Sequence, residues 1–217
     1  MVKESSVRPA AKQERSRQTE HLILQAALKT LTDLGEDAIT MNSVSERAGV
    51  SVGSIYRRFG SREELLIAMT DEFASGFSRT LIAKLAAAPH EATTDPNEII
   101  RYATTVLAKN FERNQKAYGR LVLMGVTDPL IFAAGQKASI EGGRAYTEFI
   151  LQARSEIKRP DVDAAVDYTY RLIYAMCTHR ATQGPRLESS RAFSWKNLID
   201  ELVEMNQAYL LNPPFAD

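Results

Sequence analysis

Cysteine occurs once in the 217 residues, at Cys177, so no internal disulfide can form, and the chain suits a reducing compartment. No apolar run approaches the ~18 residues that a membrane-spanning helix needs, and the N-terminus lacks an apolar signal-peptide core. Those absences predict a cytoplasmic protein with no membrane partner. The chain has no GxxxxGK, GxGxxG, HExxH or CxxC pattern. Its three histidines, His21, His90 and His179, fall in different predicted elements and give no metal-ligand spacing. Asp161 and Asp163 form a DxD pair, but at a predicted helix start, where the helix dipole accounts for them. Cys177 lies in an apolar helix and reads as a small buried hydrophobe. The expectation is a protein without metal, cofactor or catalytic centre, hence not an enzyme.

Charge of one sign is lacking too: Lys+Arg and Asp+Glu both number 27, which argues against a generic polyanion binder. The distribution is uneven. Residues 1–62 hold ten Lys/Arg against seven Asp/Glu, net +3, so the remainder is net −3. A basic end on a neutral protein suits nucleic-acid binding by a small N-terminal head.

That head is written most densely over residues 40–65, TMNSVSERAGVSVGSIYRRFGSREEL. Thr40 can cap a helix over 41–48, with Val44 and Ala48 four apart on one face. Gly49 follows where a left-handed residue is needed, and Val50 plugs the corner. Ser51 caps a second helix through Phe59, with Ile55 and Phe59 inward. Gly60 ends it, and Ser61 with Glu64 forms a capping box for a third helix. Two short helices joined by a glycine turn make a helix-turn-helix, whose second helix is suited to a DNA major groove. With Ile55 and Phe59 inward, Gly53, Ser54 and Arg57 point outward, and Tyr56 and Arg58 lie on the flanks. Gly53 permits close backbone approach and Ser54 offers a short hydroxyl. Arg57 has the fork to read a guanine edge; Tyr56, Arg58 and Arg62 suit phosphates. No acidic residue lies between Ser51 and Arg62.

Around this stretch the chain reads as helix throughout. Residues 1–12 are expected to be a mobile arm and 13–34 the first helix, with Ile23, Ala27, Leu31 and Leu34 in one stripe closed by Gly35. Near its start Lys12, Arg15 and Arg17 either reach a minor groove or flanking phosphates, or form a solvated charged end. A long helix should run from Arg62 to about Ala88 and couple the head to the next core. Beyond a polar loop over 90–94, helices are expected over 96–113, 116–126, 129–157, 161–183 and 191–211. Gly142-Gly143 marks a kink or close packing. The helix over 161–183 is apolar on most sides, and the last helix has a stripe wider than one packing face needs. Val166, Tyr170, Ile173, Cys177, Trp195, Leu198, Leu202, Met205 and Tyr209 are therefore expected at a homodimer interface, four helices paired about a two-fold axis.

The run AGVSVGSIYRRFGSREEL over 48–65 resembles the DNA-binding signature of the TetR family of transcriptional regulators, and ILQAALKTLTDLGEDAIT over 23–40 resembles its first helix and following loop. The likeness covers about the first third of the chain. Ser45 stands where that family often has Ala, Arg58 where His or Tyr is common, and Arg62 where Lys is usual; the last two keep or add phosphate-binding capacity. The predicted DNA-binding set is Thr40, Ser51, Val52, Gly53, Ser54, Tyr56, Arg57, Arg58 and Arg62, with Arg15 and Arg17. The resemblance implies a bacterial regulator whose second domain binds a small molecule. Tyr102, Phe111, Tyr118, Met124, Phe132, Tyr146, Tyr170, Tyr174 and Met176 are the candidates to line such a cavity, against plain core packing for any one of them.

The expected architecture is therefore all-α: an arm (1–12), a three-helix helix-turn-helix head (13–65) and a helical ligand-binding and dimerisation domain (66–217). The expected function is a homodimeric repressor that binds palindromic operator DNA and is released by a small, largely apolar effector. The alternative is a ligand-independent regulator or activator whose second domain only dimerises or docks a protein partner.

Overall fold

The computed structural model describes residues 7–186 and 189–213, with side chains described from residue 13 onward. Among these residues there are eight α-helices, two short 3-10 segments and no strand. The helices are α1 (Val7–Leu34), α2 (Met41–Ala48), α3 (Val52–Phe59), α4 (Arg62–Ala86), α5 (Pro96–Gly125), α6 (Pro129–Ile150), α7 (Val162–Gln183) and α8 (Trp195–Leu211). The chain divides into two compact units, 1–73 and 74–217, with the division falling inside α4.

The first unit has a core built by local periodicity. Ile23, Ala27 and Leu31 of α1 are buried together with Ile39, Val44, Ile55, Phe59, Leu65 and Met69. Each such aliphatic removed from water is worth about 1.5–3 kcal/mol, which is how helices as short as α2 and α3 persist. Leu34, expected on the buried stripe, is 65% exposed, because the stripe has rotated away by the helix end and Leu24 and Thr30 are covered instead. The expected arm falls partly outside the described residues; α1 itself begins at Val7, six residues before the predicted start. Pro9 does not prevent this, since a proline in a first turn removes an N–H that has no helical partner.

The second unit is centred on α5, which packs against α6, α7 and α8. The two helices expected over 96–113 and 116–126 are one. The polar run 112–116 that suggested a break contains neither Gly nor Pro, and Asn114 donates back to the Asn110 carbonyl at 2.8 Å. Asp95 and Asp128 cap α5 and α6 by accepting from backbone N–H groups, each with Pro at the first turn. The predicted α6 ends early: 151–156 tighten into a 3-10 segment with non-helical geometry at Ala153. Gly142 and Gly143 lie within unbroken α6 and mark close packing, for a Cβ on Gly143 would meet the Tyr170 ring at 3.0 Å. The last helix starts at Trp195, four residues later than expected, where Ser194 caps it.

Candidate nucleic-acid interface

The α2–turn–α3 substructure is held by caps at every end. Thr40 Oγ1 accepts from the Ser43 N–H at 3.0 Å, and the Ser43 hydroxyl oxygen accepts from the Thr40 N–H at 3.0 Å, a reciprocal box. Gly49 sits in the left-handed region at φ 66, where a Cβ would be strained, and its N–H returns to the Ser45 carbonyl. The Ser45 hydroxyl donates to the Val50 carbonyl, bracing the turn from inside; this gives the serine at that position a structural use. Ser51 Oγ accepts from the Ser54 N–H at 3.2 Å and starts α3. Ile55 and Phe59 seat α3 on the core, so its opposite side faces outward.

That outward side carries the predicted residues. Gly53, Arg57 and Tyr56 are exposed, Tyr56 by 52%; Val52, Ser54 and Arg58 are half-buried at its edges. A Cβ built on Gly53 meets nothing within 4 Å, so among the described residues no neighbour requires a glycine there. Thr40 and Ser51 are exposed but already serve as caps. Arg15 and Arg17 are exposed on α1.

The three arginines expected to meet DNA are placed differently. Arg57 is exposed, and among the described residues its Nη2 donates to the Ser54 hydroxyl alone, at 3.4 Å. Arg58 folds back: Nη1 donates to Ser54 Oγ at 2.9 Å and Nη2 to Ser16 Oγ of α1 at 3.4 Å. Ser16 escaped the sequence reading because it lies 42 residues from Arg58 and carries no local signal. Arg62 is turned toward the loop before α2, where Nε donates to the Ile39 carbonyl at 2.7 Å and Nη2 to the Glu36 carbonyl at 3.0 Å.

In the second unit the candidate cavity residues part company. Phe132 and Met176 are 59% and 41% exposed and line no interior. Met124 is buried, and Tyr102 stacks near Phe149 with its hydroxyl donating to the Lys84 carbonyl at 2.9 Å. Phe111, Tyr118, Tyr170 and Tyr174 do come together, with ring centroids 4.8–5.8 Å apart along the series, and Tyr146 lies 5.6 Å from Tyr170. Two of the hydroxyls in that series are engaged: Tyr118 with Thr178 at 2.9 Å, and Tyr170 donating to the Ser139 carbonyl at 2.7 Å. Burial pushes the Tyr170 phenol up to about 12 and holds Tyr118 and Tyr146 well above the usual tyrosine range. Tyr118, Tyr146 and Tyr170 are therefore neutral phenols paired within the protein.

The predicted dimer face needs correction. Val166, Tyr170, Ile173, Cys177, Trp195, Leu198 and Leu202 are buried within the protomer, so they are core and cannot meet a partner. Trp195 donates from Nε1 to Gln115 at 2.9 Å, and burial raises the Cys177 thiol to about 12, which leaves it neutral and unreactive. Of the nine, only Met205, 52% exposed, and half-buried Tyr209 reach the surface. The apolar groups that α7 turns outward are instead Tyr168 and Met176. Among the described residues no His/Cys/Asp/Glu cluster could hold a metal, and no helix is long and apolar enough to cross a membrane.

A capped helix-turn-helix presenting an acid-free, arginine-bearing face defines the class: a helix-turn-helix protein of the nucleic-acid-binding type. The family model for bacterial regulatory proteins of the tetR family matches residues 23–69. The HTH-type transcriptional activator FasR of Mycolicibacterium smegmatis is 30% identical over 117 residues, 51% of this chain and 49% of that protein. The HTH-type transcriptional repressor KstR of the same species is 30% identical over 139 residues, 64% of this chain and 61% of that protein. The chain thus spans about half to three-fifths of the length of these curated relatives. A crystal structure of a putative TetR-family regulator from Mesorhizobium loti superposes with a TM-score of 0.71 at 18% identity, covering 89% of this chain and 97% of that one. Residues 23–69 thus carry the DNA-binding region that the tetR family model describes, and the chain has the fold of a solved structure from that family.

Proposed function

We propose that the protein is a ligand-responsive repressor that binds a pseudo-palindromic operator as a homodimer. The observation that carries this is the outward face of α3: an exposed helical glycine that no described residue needs, beside exposed Tyr56 and Arg57, with no acid between Ser51 and Arg62. Two such helices related by a dimer axis would enter successive major grooves ~34–36 Å apart. The sign of regulation follows the relative named a repressor; the relative named an activator supplies the competing reading, in which the second unit serves dimerisation or a protein partner. The two protomers would pair through the outward side of α7 and α8, where Tyr168, Met176 and Met205 are exposed. An effector held near Tyr118, Tyr170 and Tyr174 would displace α4, the helix shared by both units, and weaken operator affinity; operator would weaken effector binding by the same factor.

The test is selection of duplexes from a random-sequence pool, followed by titration of the selected duplex by fluorescence anisotropy. A two-fold symmetric consensus bound by two protomers supports the reading, and Arg57→Ala should then cost about 1–3 kcal/mol and relax one base preference. Failure to enrich any sequence contradicts it.

A further inference from the structure

We propose that Arg62 is a positioning residue that clips the start of α2 to the first turn of α4, and that it does not contact DNA phosphate. The inference rests on the DNA-binding reading above and refines it. The guanidinium of Arg62 spans the gap from α4 to the loop with two donors, Nε to the Ile39 carbonyl at 2.7 Å and Nη2 to the Glu36 carbonyl at 3.0 Å. The Glu36 carboxylate lies 3.7 Å from Nη2 and balances its charge. From the other side, the Ser43 hydroxyl of α2 donates to the Ala38 carbonyl at 2.7 Å. The carbonyls of residues 36, 38 and 39 are thus held by side chains from α4 and α2, while fully buried Ile39 pins the loop to the core. Thr40, the next residue, is the cap on which α2 starts.

A phosphate could draw Arg62 away only by stripping the Ile39 carbonyl of its side-chain donor, leaving the Glu36 carbonyl with the Ile39 N–H alone, and separating an ion pair, a cost that exposed Arg57 does not face. The fork geometry also explains arginine over lysine: one ammonium is a point donor and does not span two carbonyls on fixed directions. Arg62 opens α4, so a displacement of that first turn is passed by two hydrogen bonds to the cap of α2, and through α2 and its turn to α3. The clip gives the proposed motion of α4 a route to the reading helix within the first unit.

The experiment uses full-length protein with Arg62→Ala and Arg62→Lys, the duplex selected by the wild type, and a scrambled duplex of equal length. Affinity is measured across a salt series, and amide exchange is followed at Ile39 and Thr40 in the free protein, with α1 amides as the reference for an intact head. The clip predicts that both variants lose roughly tenfold in affinity for the selected duplex, the loss expected when a charged hydrogen bond is removed. Affinity for the scrambled duplex and the salt slope stay at wild-type values, and Ile39 and Thr40 exchange faster while α1 does not. A phosphate contact predicts the opposite: Arg62→Ala weakens both duplexes alike and lowers the salt slope by about 0.9, while Arg62→Lys behaves as wild type. That result overturns the proposal, as does unchanged exchange at Ile39 and Thr40. If the wild type selects no duplex, the regulator reading fails, and exchange alone still decides whether the clip exists.

Discussion

Two glycines, one in each unit, separate what the two halves of this chain are built to do. Gly53 lies on the outward side of α3, and a Cβ there would touch nothing within 4 Å. Gly119 lies where α5 meets α7, and a Cβ there would come within 2.6 Å of the Ala181 carbonyl oxygen. At Gly119 the absent side chain is demanded by the protein itself; at Gly53 no described residue demands it. A helix gives up about 0.8–1 kcal/mol by holding Gly in place of Ala, so an unneeded glycine on an exposed helix points to something outside the molecule. The comparison teaches that the head sacrifices stability for access, whereas the second unit keeps its fold by interlocked rings and close helix crossings.

The comparison breaks first in the interior. Phe111→Ala removes a fully buried ring in edge contact with Phe77, Tyr118 and Tyr174, and should cost about 3–5 kcal/mol. Urea unfolding followed by fluorescence of Trp195, the single tryptophan, measures that loss at matched protein concentration. Gly119→Ala should cost about 1–3 kcal/mol on the same probe, because carbonyl backbone cannot yield as a flexible side chain would. Thr40→Ala, which removes half of a capping box, should cost about 1 kcal/mol, read as faster amide exchange in α2, with Thr40→Ser near wild type. Gly53→Ala should move the other way, raising stability by up to about 1 kcal/mol while weakening binding to the selected duplex. A stability gain without a binding loss would remove the reason given for that glycine.

The same contrast governs how much could be read from sequence. The bounds of α2 and α3 were legible to the residue because each end is a local event, Thr40, Gly49, Ser51 and Gly60, decided within four positions. In α7 and α8 the period was legible but the phase was not. A helix apolar on most sides offers two candidate inner faces, and Val166, Ile173, Cys177 and Leu202 turned out to line the inner one. Arg62 illustrates a third limit. Its partners are backbone carbonyls more than twenty residues away, and a carbonyl has no letter in the sequence. Asn206 is similar: it is fully buried with its amide nitrogen 3.3 Å from Thr104, a pairing across 102 residues.

The most direct test of the central claim, that the outward face of α3 reads DNA, is fluorescence anisotropy of the wild type and of a Tyr56→Ala, Arg57→Ala double variant on the selected duplex at two salt concentrations. Both side chains are exposed on a short, well-seated helix, so the variant should unfold within about 0.5 kcal/mol of the wild type. The account predicts two protomers per duplex for the wild type and loss of sequence preference in the variant, with only salt-steep, sequence-blind binding left. Equal sequence preference in the two proteins would contradict it.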